Sequence, residues 1–333
     1  MTGLKPVLDR LAGGARLNAT EAAEAFATVM RGEATPAQTG ALLMALRLRG
    51  ETVDEVAGAV TAMRGAMTTV EAPPHAIEVC GTGGDGAHTL NVSTAVAFVV
   101  AGCGIAVAKH GNRAITSKSG AADVLASLSV PVDLKPDAAA AALTANRFAF
   151  LFAPNFHPAM RHVGPVRGEL GFRTLFNLLG PLANPASVRR QLIGAPTPEA
   201  AERIAHVLAQ LGVDRAWVVC GHGGLDEISP SGPSQVFAVE DGAVTPHTVS
   251  PEDAGLPVHP IDAIRGGDAA ENAAALTGLL AGQPGAYRDT VILNAAAALI
   301  VAGKAASLID GARLAAEAID TGAARTVLAR ARA

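Results

Sequence analysis

Residues Cys80–Ala95 read CGTGGDGAHTLNVSTA. Four glycines, Gly81, Gly83, Gly84 and Gly86, fall within six residues; Asp85 stands among them, and Thr89, Asn91, Ser93 and Thr94 follow. Gly81, Gly83 and Gly86 spell G-x-G-x-x-G, the form of a dinucleotide-binding turn. A dinucleotide site also needs an acid about 20 residues further on, to hold a ribose diol. No Asp or Glu occurs between Asp85 and Asp123, where Lys109, Arg113 and Lys118 stand instead. No G-K-[ST] follows either, so the P-loop form fails. What remains is a glycine nest between a short apolar run, Ile77–Cys80, and an apolar helical segment from Thr94 to Gly104. Backbone N–H groups at such a strand-to-helix junction, with the positive end of the helix, bind anions. Helix capping explains any one of the hydroxyls; it does not explain the whole cluster beside a second basic loop.

Working outward, the chain before residue 70 carries only helical patterns. Thr20 is placed to cap a helix bearing Ala23, Phe26, Val29 and Met30 on one face. Thr35-Pro36-Ala37-Gln38 and Thr52-Val53-Asp54-Glu55 are capping boxes, and Gly50 between them suits a helix stop. Pro73-Pro74 marks a linker. Beyond it Ile77–Cys80, Ile105–Ala108, Phe150–Ala153, Trp217–Cys220 and Val236–Val239 read as strands alternating with helices, and the chain from Ala269 onward is Ala-rich and helical. The fold class predicted is α/β: a small N-terminal all-helical domain over 1–72, and a large domain over 73–333 with a mainly parallel central sheet.

Half the residues are apolar and 17% are charged, a globular composition, and the formal net charge of −4 argues against a general nucleic-acid binder. Cys80, Cys103 and Cys220 are widely spaced, with no C-x-x-C, which fits a reducing cytoplasmic setting better than a disulfide or zinc framework. MTGLKPVLDRLAGG lacks the apolar core of a leader, and no apolar run approaches 18 residues, so neither a leader nor a membrane span is expected.

Three further segments carry chemistry. Lys109–Gly120, KHGNRAITSKSG, gathers cations, an Asn and hydroxyls without one acid, whereas a solvated loop usually mixes signs. In Gly221–Ser229, GHGGLDEIS, Asp226 and Glu227 follow a strand at the edge where open α/β sheets bind ligands. Two carboxylates with few nitrogen ligands suit Mg²⁺ held together with substrate phosphates. Alone, such a dipeptide is more often a surface pair; two phosphate loops elsewhere raise its weight. Between Phe152 and Pro185 stand His157, Arg161, His162, Arg167 and Arg173. Arginine suits bidentate recognition of a carboxylate, and a histidine here is more often a structural hydrogen-bonder than a base. No zinc spacing and no G-x-S-x-G elbow occur.

Taken in order, GTGGDGAHTLNVSTA, KHGNRAITSKSG, FHPAMRHVGPVRGELG with FNLLGPLANP, and GLDEIS resemble the anthranilate phosphoribosyltransferase family over nearly the full chain. The resemblance implies transfer of the 5-phosphoribosyl group from phosphoribosyl pyrophosphate (PRPP) to the amine of anthranilate, in tryptophan biosynthesis. It implies a nucleoside phosphorylase-like architecture with a hinge, a homodimer joined through the helical domain, and a pair of Mg²⁺ ions per monomer. It also implies that segments near 163–175 pack back onto the helical domain. Carried residue by residue, it places Gly81, Gly84, Asp85, Thr89, Asn91, Val92, Ser93, Thr94, Lys109, His110, Gly111, Asn112, Arg113, Ser117 and Ala121 around PRPP. Ser93, Asp226 and Glu227 would hold metal. Gly81, His110, Asn112, His157 and Arg167 would meet anthranilate, Arg167 through its carboxylate. Lys109, Asn112 and Arg167 would carry the catalytic work, by charge stabilisation and positioning, and no residue stands out as a general base.

Two rivals remain open from the residues. A pyrimidine nucleoside phosphorylase of the same architecture uses inorganic phosphate and no paired metal acids; Asp226-Glu227 and the KHGN loop favour PRPP. A nucleic-acid-binding homologue without transferase activity would be basic and lack those acids, whereas this chain is acidic overall and keeps both.

Overall fold

The structure, a computed structural model, describes residues 3–114 and 118–333. The chain opens with four helices, α1 Lys5–Ala12, α2 Ala19–Met30, α3 Pro36–Arg49 and α4 Val53–Gly65. Both expected capping boxes form: Thr35 accepts from Gln38 N and Thr52 from Glu55 N, each at 3.2 Å. Gly50 ends α3 with a left-handed φ of 79°. The cap of α2 differs from expectation. Asn18, not Thr20, accepts from Glu21 N at 2.9 Å, because Glu21 lies three residues on and returns its carboxylate to Asn18 N at 3.0 Å.

The large domain is one seven-stranded sheet, β1 Ile77–Gly81, β2 Val107–Gly111, β3 Phe148–Phe152, β4 Arg190–Gly194, β5 Arg215–Cys220, β6 Ser234–Glu240 and β7 Ala243–Val249, in the order β3-β2-β1-β4-β5-β6-β7. The strands β1 to β5 are parallel; β6 is antiparallel to β5, and β7 is antiparallel to β6. Two of these strands, β4 and β7, are not expected from the sequence. β4 opens with Arg190-Gln191, which breaks the apolar run, and β7 is a mostly exposed edge strand containing Pro246. The ladders are unequal. β1 pairs with β4 from Ile77↔Arg190 to Gly81↔Gly194, and β2 with β3 from Val107↔Phe148 to Gly111↔Phe152, but β1 meets β2 only at Ile77↔Val107.

The connecting helices are α5 Val92–Gly102, α6 Ala121–Ser127, α7 Pro136–Asn146, α8 Ala153–Phe156, α9 Gly164–Leu170, α10 Phe176–Leu182 and α11 Pro198–Gln210; α12 Ala269–Leu280, α13 Ala286–Val301, α14 Leu308–Asp320 and α15 Ala323–Ala331 close the chain. α5 is apolar on every side and lies inside the core with α13, around Phe98, Phe148 and Leu293. On the opposite face, Val163, Leu175 and Phe176 share one apolar cluster with Phe26, Leu42 and Leu46 of the helical module and with Ile204 and Val218. The Phe26 and Phe176 rings meet edge to face, 5.8 Å apart. Among the described residues no helix is long and apolar enough to cross a membrane.

Candidate active site

Chain order places the site. The sheet runs outward from β1 through β2 to β3, then returns to β4 on the other side of β1. The carboxyl ends of the central strands border the crevice that such a reversal opens. Gly81–Asp85 leave β1 there, with Gly83 and Gly84 at left-handed φ of 69° and 84°, the conformations of an N–H nest.

Asp226 lies on this turn. Its Oδ2 accepts from Gly83 N at 2.7 Å, and Asp226 N donates to Asp85 Oδ2 at 3.4 Å. A Cβ on Gly81 would fall 2.2 Å from the same Oδ2, so glycine alone leaves the carboxylate its place. Glu227 Oε1 accepts from Ser93 N at 3.1 Å, in the first turn of α5, where the helix end favours an anion. Lys109, 2% exposed on β2, donates to Val79 O at 2.9 Å and to Ser93 Oγ at 3.1 Å. Two loops and a strand separated widely in sequence thus bring Asp85, Ser93, Lys109, Asp226 and Glu227 together.

The electrostatics follow from this crowding. The two acids keep part of their surface open to the crevice, but enough protein surrounds them to disfavour charge. Burial and then Asp85 push the Asp226 carboxyl up to about 7; burial and then Asp226 push Glu227 up to about 8. Burial pulls the Lys109 ammonium down, against the pull of the nearby Glu227, Glu78 and Asp226. One ammonium beside three carboxylates leaves the cluster short of positive charge. Among the described residues no group of three or more His, Cys, Asp or Glu closes a metal shell. A partial shell of hard oxygen donors fits Mg²⁺, which keeps waters and takes its remaining oxygens from substrate phosphates.

Asn91 does not cap α5. Its Oδ1 accepts from Asn272 Nδ2 at 2.8 Å and its carbonyl from the Tyr287 hydroxyl at 3.1 Å. Asn272 is itself fixed by Gly267 N donating to its Oδ1 at 2.8 Å. The Asn91 amide nitrogen is therefore the end left for a ligand. Val92 and Thr94 are buried at the start of α5, and Val92 N is already given to Leu90 O at 2.7 Å. Thr89 bridges to Arg265, which ties its loop to 264–266.

A second group lies alongside. His110 donates from Nδ1 to Gly180 O at 3.1 Å, which leaves its Nε2 to accept from His157 Nε2 at 3.1 Å when both rings are neutral. Burial pulls His110 down to about 3, helped by His157, and pulls His157 down to about 4. Arg167 lies over the Phe176 ring, 5.6 Å from its centre, and donates to Asn177 Oδ1 at 3.4 Å. Burial and then Arg173 lower the Arg167 guanidinium. A Cβ on Gly84 would fall 1.7 Å from Arg173 Nη1, so this arginine rests directly on the nest. Aromatic face, paired guanidinium groups and neutral histidines suit a small aromatic carboxylate.

The loop after β2 is less assembled. Asp123 accepts from Ala114 N and Gly120 N, both at 3.0 Å, and pairs with Arg113 Nη1 at 3.0 Å. Arg113 is thereby turned toward Asp123 and the Phe152 ring. Asn112 Oδ1 accepts from Arg113 N at 2.8 Å, and among the described residues no hydrogen bond joins Asn112 to Arg167. Gly111 ends β2, Ala121 opens α6, and Ser117 lies outside the described residues. Sequence reasoning missed Glu78, Asn272 and Tyr287, and counted Arg173 among the arginines suited to a carboxylate without placing it on the glycine turn. Asn272 and Tyr287 carry no local signal, since they reach Asn91 from far along the chain. Glu78 did carry one: a lone acid inside the apolar run IEVC.

Two sequence families match the chain: residues 5–67 match "Glycosyl transferase family, helical bundle domain" and residues 73–325 match "Glycosyl transferase family, a/b domain". A relative from Rhodopseudomonas palustris (strain BisA53), called anthranilate phosphoribosyltransferase, is 54% identical over 99% of this chain and 97% of its own length. The crystal structure of anthranilate phosphoribosyltransferase from Thermus thermophilus superposes with a TM-score of 0.93 at 42% identity, covering 98% of both chains. The Saccharomyces cerevisiae anthranilate phosphoribosyltransferase in complex with PRPP and Mg superposes with a TM-score of 0.89 at 28% identity, covering 98% of this chain and 96% of that one. The yeast protein has also been solved in complex with 4-fluoroanthranilate, with a TM-score of 0.88 at 26% identity, covering 99% of this chain and 96% of that one.

Proposed function

The chain belongs to the glycosyl transferase family and, within it, to the anthranilate phosphoribosyltransferases, and from that premise we infer how its residues carry the reaction. It transfers the 5-phosphoribosyl group of PRPP to the amine of anthranilate and releases pyrophosphate. The observation that carries the assignment of roles is the junction of Asp226 on Gly83 N, Glu227 on Ser93 N and Lys109 on Ser93 Oγ.

Anthranilate's amine is a weak nucleophile, so the site must act on the leaving group. Asp226 and Glu227, with Ser93, would hold a pair of Mg²⁺ ions, and such ions would supply positive charge against the charge growing on pyrophosphate. Gly83 N is taken by Asp226 and Thr82 N by Gly194 O, so Gly84 N and Asp85 N of the Gly81–Asp85 nest, with the Asn91 amide nitrogen, would donate hydrogen bonds to the phosphates, and Lys109 would place a cation beside them. Thr89, Val92, Thr94, His110, Gly111, Asn112, Arg113, Ser117 and Ala121 would complete the PRPP enclosure. Arg167 would take the anthranilate carboxylate while His157, His110 and Gly81 line its approach and Asn112 meets the amine.

The division at residue 72 and a homodimer are proposed on the same footing. On α3, Leu48 is 81% exposed and Met44 38%, an apolar face of the helical domain for a second copy. The test of function mixes protein, Mg²⁺, PRPP and anthranilate and follows loss of anthranilate fluorescence. Loss that needs both PRPP and Mg²⁺ supports the assignment; no loss overturns it.

A further inference from the structure

We propose that Glu78 is a positioning residue for phosphoribosyl transfer: it clamps the Lys109–His110 peptide across an open seam between β1 and β2 and so sets where the Lys109 ammonium meets PRPP. The proposal rests on the PRPP assignment above.

The seam is a property of the ladder. β1 and β2 are joined at Ile77↔Val107 and then part, while each continues to pair with its other neighbour to its end. Parted strands leave backbone groups that a ladder would have satisfied, and buried groups of that kind need partners. Side chains supply them here. Lys109 Nζ serves Val79 O at 2.9 Å, Glu78 Oε1 serves His110 N at 3.2 Å, and Asn184 Nδ2 serves Ala108 O at 2.8 Å. Glu78 has no exposed surface. Its Oε2 accepts from Gln191 Nε2 at 3.1 Å, and the same Gln191 nitrogen donates to Pro181 O at 2.8 Å.

An acid in the middle of a sheet is expensive unless its oxygens are met by donors, and both are. The bond to His110 N fixes the peptide that immediately follows Lys109. With no ladder bonds there, the course of β2 beyond Val107 on this side depends on Glu78. Lys109 must reach Val79 O and Ser93 Oγ from that backbone, so a shift of the peptide moves the ammonium off Ser93. Glu78 touches no substrate position; it acts through Lys109.

Charge and position predict opposite results. Removing a negative charge near a polyanion would tighten PRPP binding if charge were all that Glu78 supplied. Loss of the clamp weakens binding. The experiment is Glu78→Gln, which keeps the shape but sets an amide against two N–H donors. PRPP binding with Mg²⁺ and without anthranilate is measured by calorimetry, beside a thermal melt to confirm folding. The expected result is PRPP binding weakened about tenfold in Glu78→Gln, and less than a twofold further change when Glu78→Gln is added to Lys109→Met. Unchanged or tighter PRPP binding, or the same tenfold loss in the Lys109→Met background, overturns the proposal. If Glu78→Gln does not fold, Gln191→Met frees the second carboxylate oxygen instead, with a severalfold weakening that likewise vanishes with Lys109→Met; no weakening overturns it. Wild-type protein that fails to turn over PRPP would sink the functional assignment, whereas active wild type with an indifferent Glu78→Gln sinks only the clamp.

Discussion

Gly81→Ala tests the placement of the acidic pair with a single methyl group. The added Cβ would lie 2.2 Å from Asp226 Oδ2 and 2.8 Å from its Cγ, where ordinary contact begins at 3.4 Å. The Gly81 backbone itself is not in a left-handed conformation, so alanine is tolerated there and the clash is with Asp226, with its carboxylate first and its backbone oxygen at 3.1 Å second. To clear it, Asp226 must retreat by more than about 1 Å, which breaks its 2.7 Å bond from Gly83 N and takes the carboxylate off the glycine turn. Misplacement of a reacting constellation by 1 Å lowers rate on the order of 10²-fold. The loss of one hydrogen bond and local repacking lower stability by only about 1–3 kcal/mol. The assay is steady-state loss of anthranilate fluorescence over a range of Mg²⁺ and PRPP, with a urea melt. A fall of about 10²-fold in kcat/KM for PRPP, with a raised Mg²⁺ requirement and a cooperative melt, is the expected result. Activity and Mg²⁺ requirement within threefold of wild type would refute the position assigned to Asp226.

Other perturbations read other parts of the site. Arg167→Ala removes the guanidinium stacked on Phe176 and raises the KM for anthranilate about 10- to 100-fold, the range for a charge-assisted bond, while that for PRPP changes less than about threefold; equal effects on both substrates would contradict its role. Asn272→Asp sets an oxygen against Asn91 Oδ1, so the Asn91 amide turns over and presents its oxygen to pyrophosphate; the KM for PRPP rises about tenfold, and an unchanged KM means that Asn91 does not face PRPP. His110 and His157 titrate below their ordinary values in the fold, at about 3 and about 4, so the unfolded chain takes up their protons first. Their contribution is whole above about pH 6.5 and is lost as pH falls toward those values, by at most about 1.4 kcal/mol per pH unit for each ring. Urea midpoints between pH 7.5 and pH 5 measure it, and His157→Asn flattens that slope; an unaltered slope would show that the pair is not held neutral.

Much of this was legible in the chain, for identifiable reasons. The helical module could be read because Thr35-Gln38 and Thr52-Glu55 are local devices whose partners lie three residues apart. The same rule misled at α2, where Thr20 and Asn18 compete and Glu21 answers only Asn18. β1, β5 and β6 stood out as apolar runs. β4 did not, because Gln191 is buried to hold Glu78 and Pro181 rather than to fill the core, so its polarity looks like a surface. The nest and the acidic pair were readable as composition, four glycines and two adjacent acids. Their apposition was not, since Gly83 and Asp226 lie 143 residues apart in sequence. Residues that orient others, such as Asn272 behind Asn91, leave no periodicity or spacing to find.

The single rung between β1 and β2 has a mechanical meaning. β2 and β3 form one jaw, bearing Lys109 and the loop after it; β1, β4 and their neighbours form the other, bearing the glycine turn and, through β5, the acids. The pivot, Ile77 with Val107, sits at the end of the strands away from the mouth, four residues from Gly81 and Gly111. At a rise of about 3.3 Å per residue the lever is roughly 13 Å long, so a rotation of about 5° moves the tips by about 1 Å. The gauge of the mouth is therefore set within the α/β domain itself, by the bonds that Glu78 and Lys109 make across the seam.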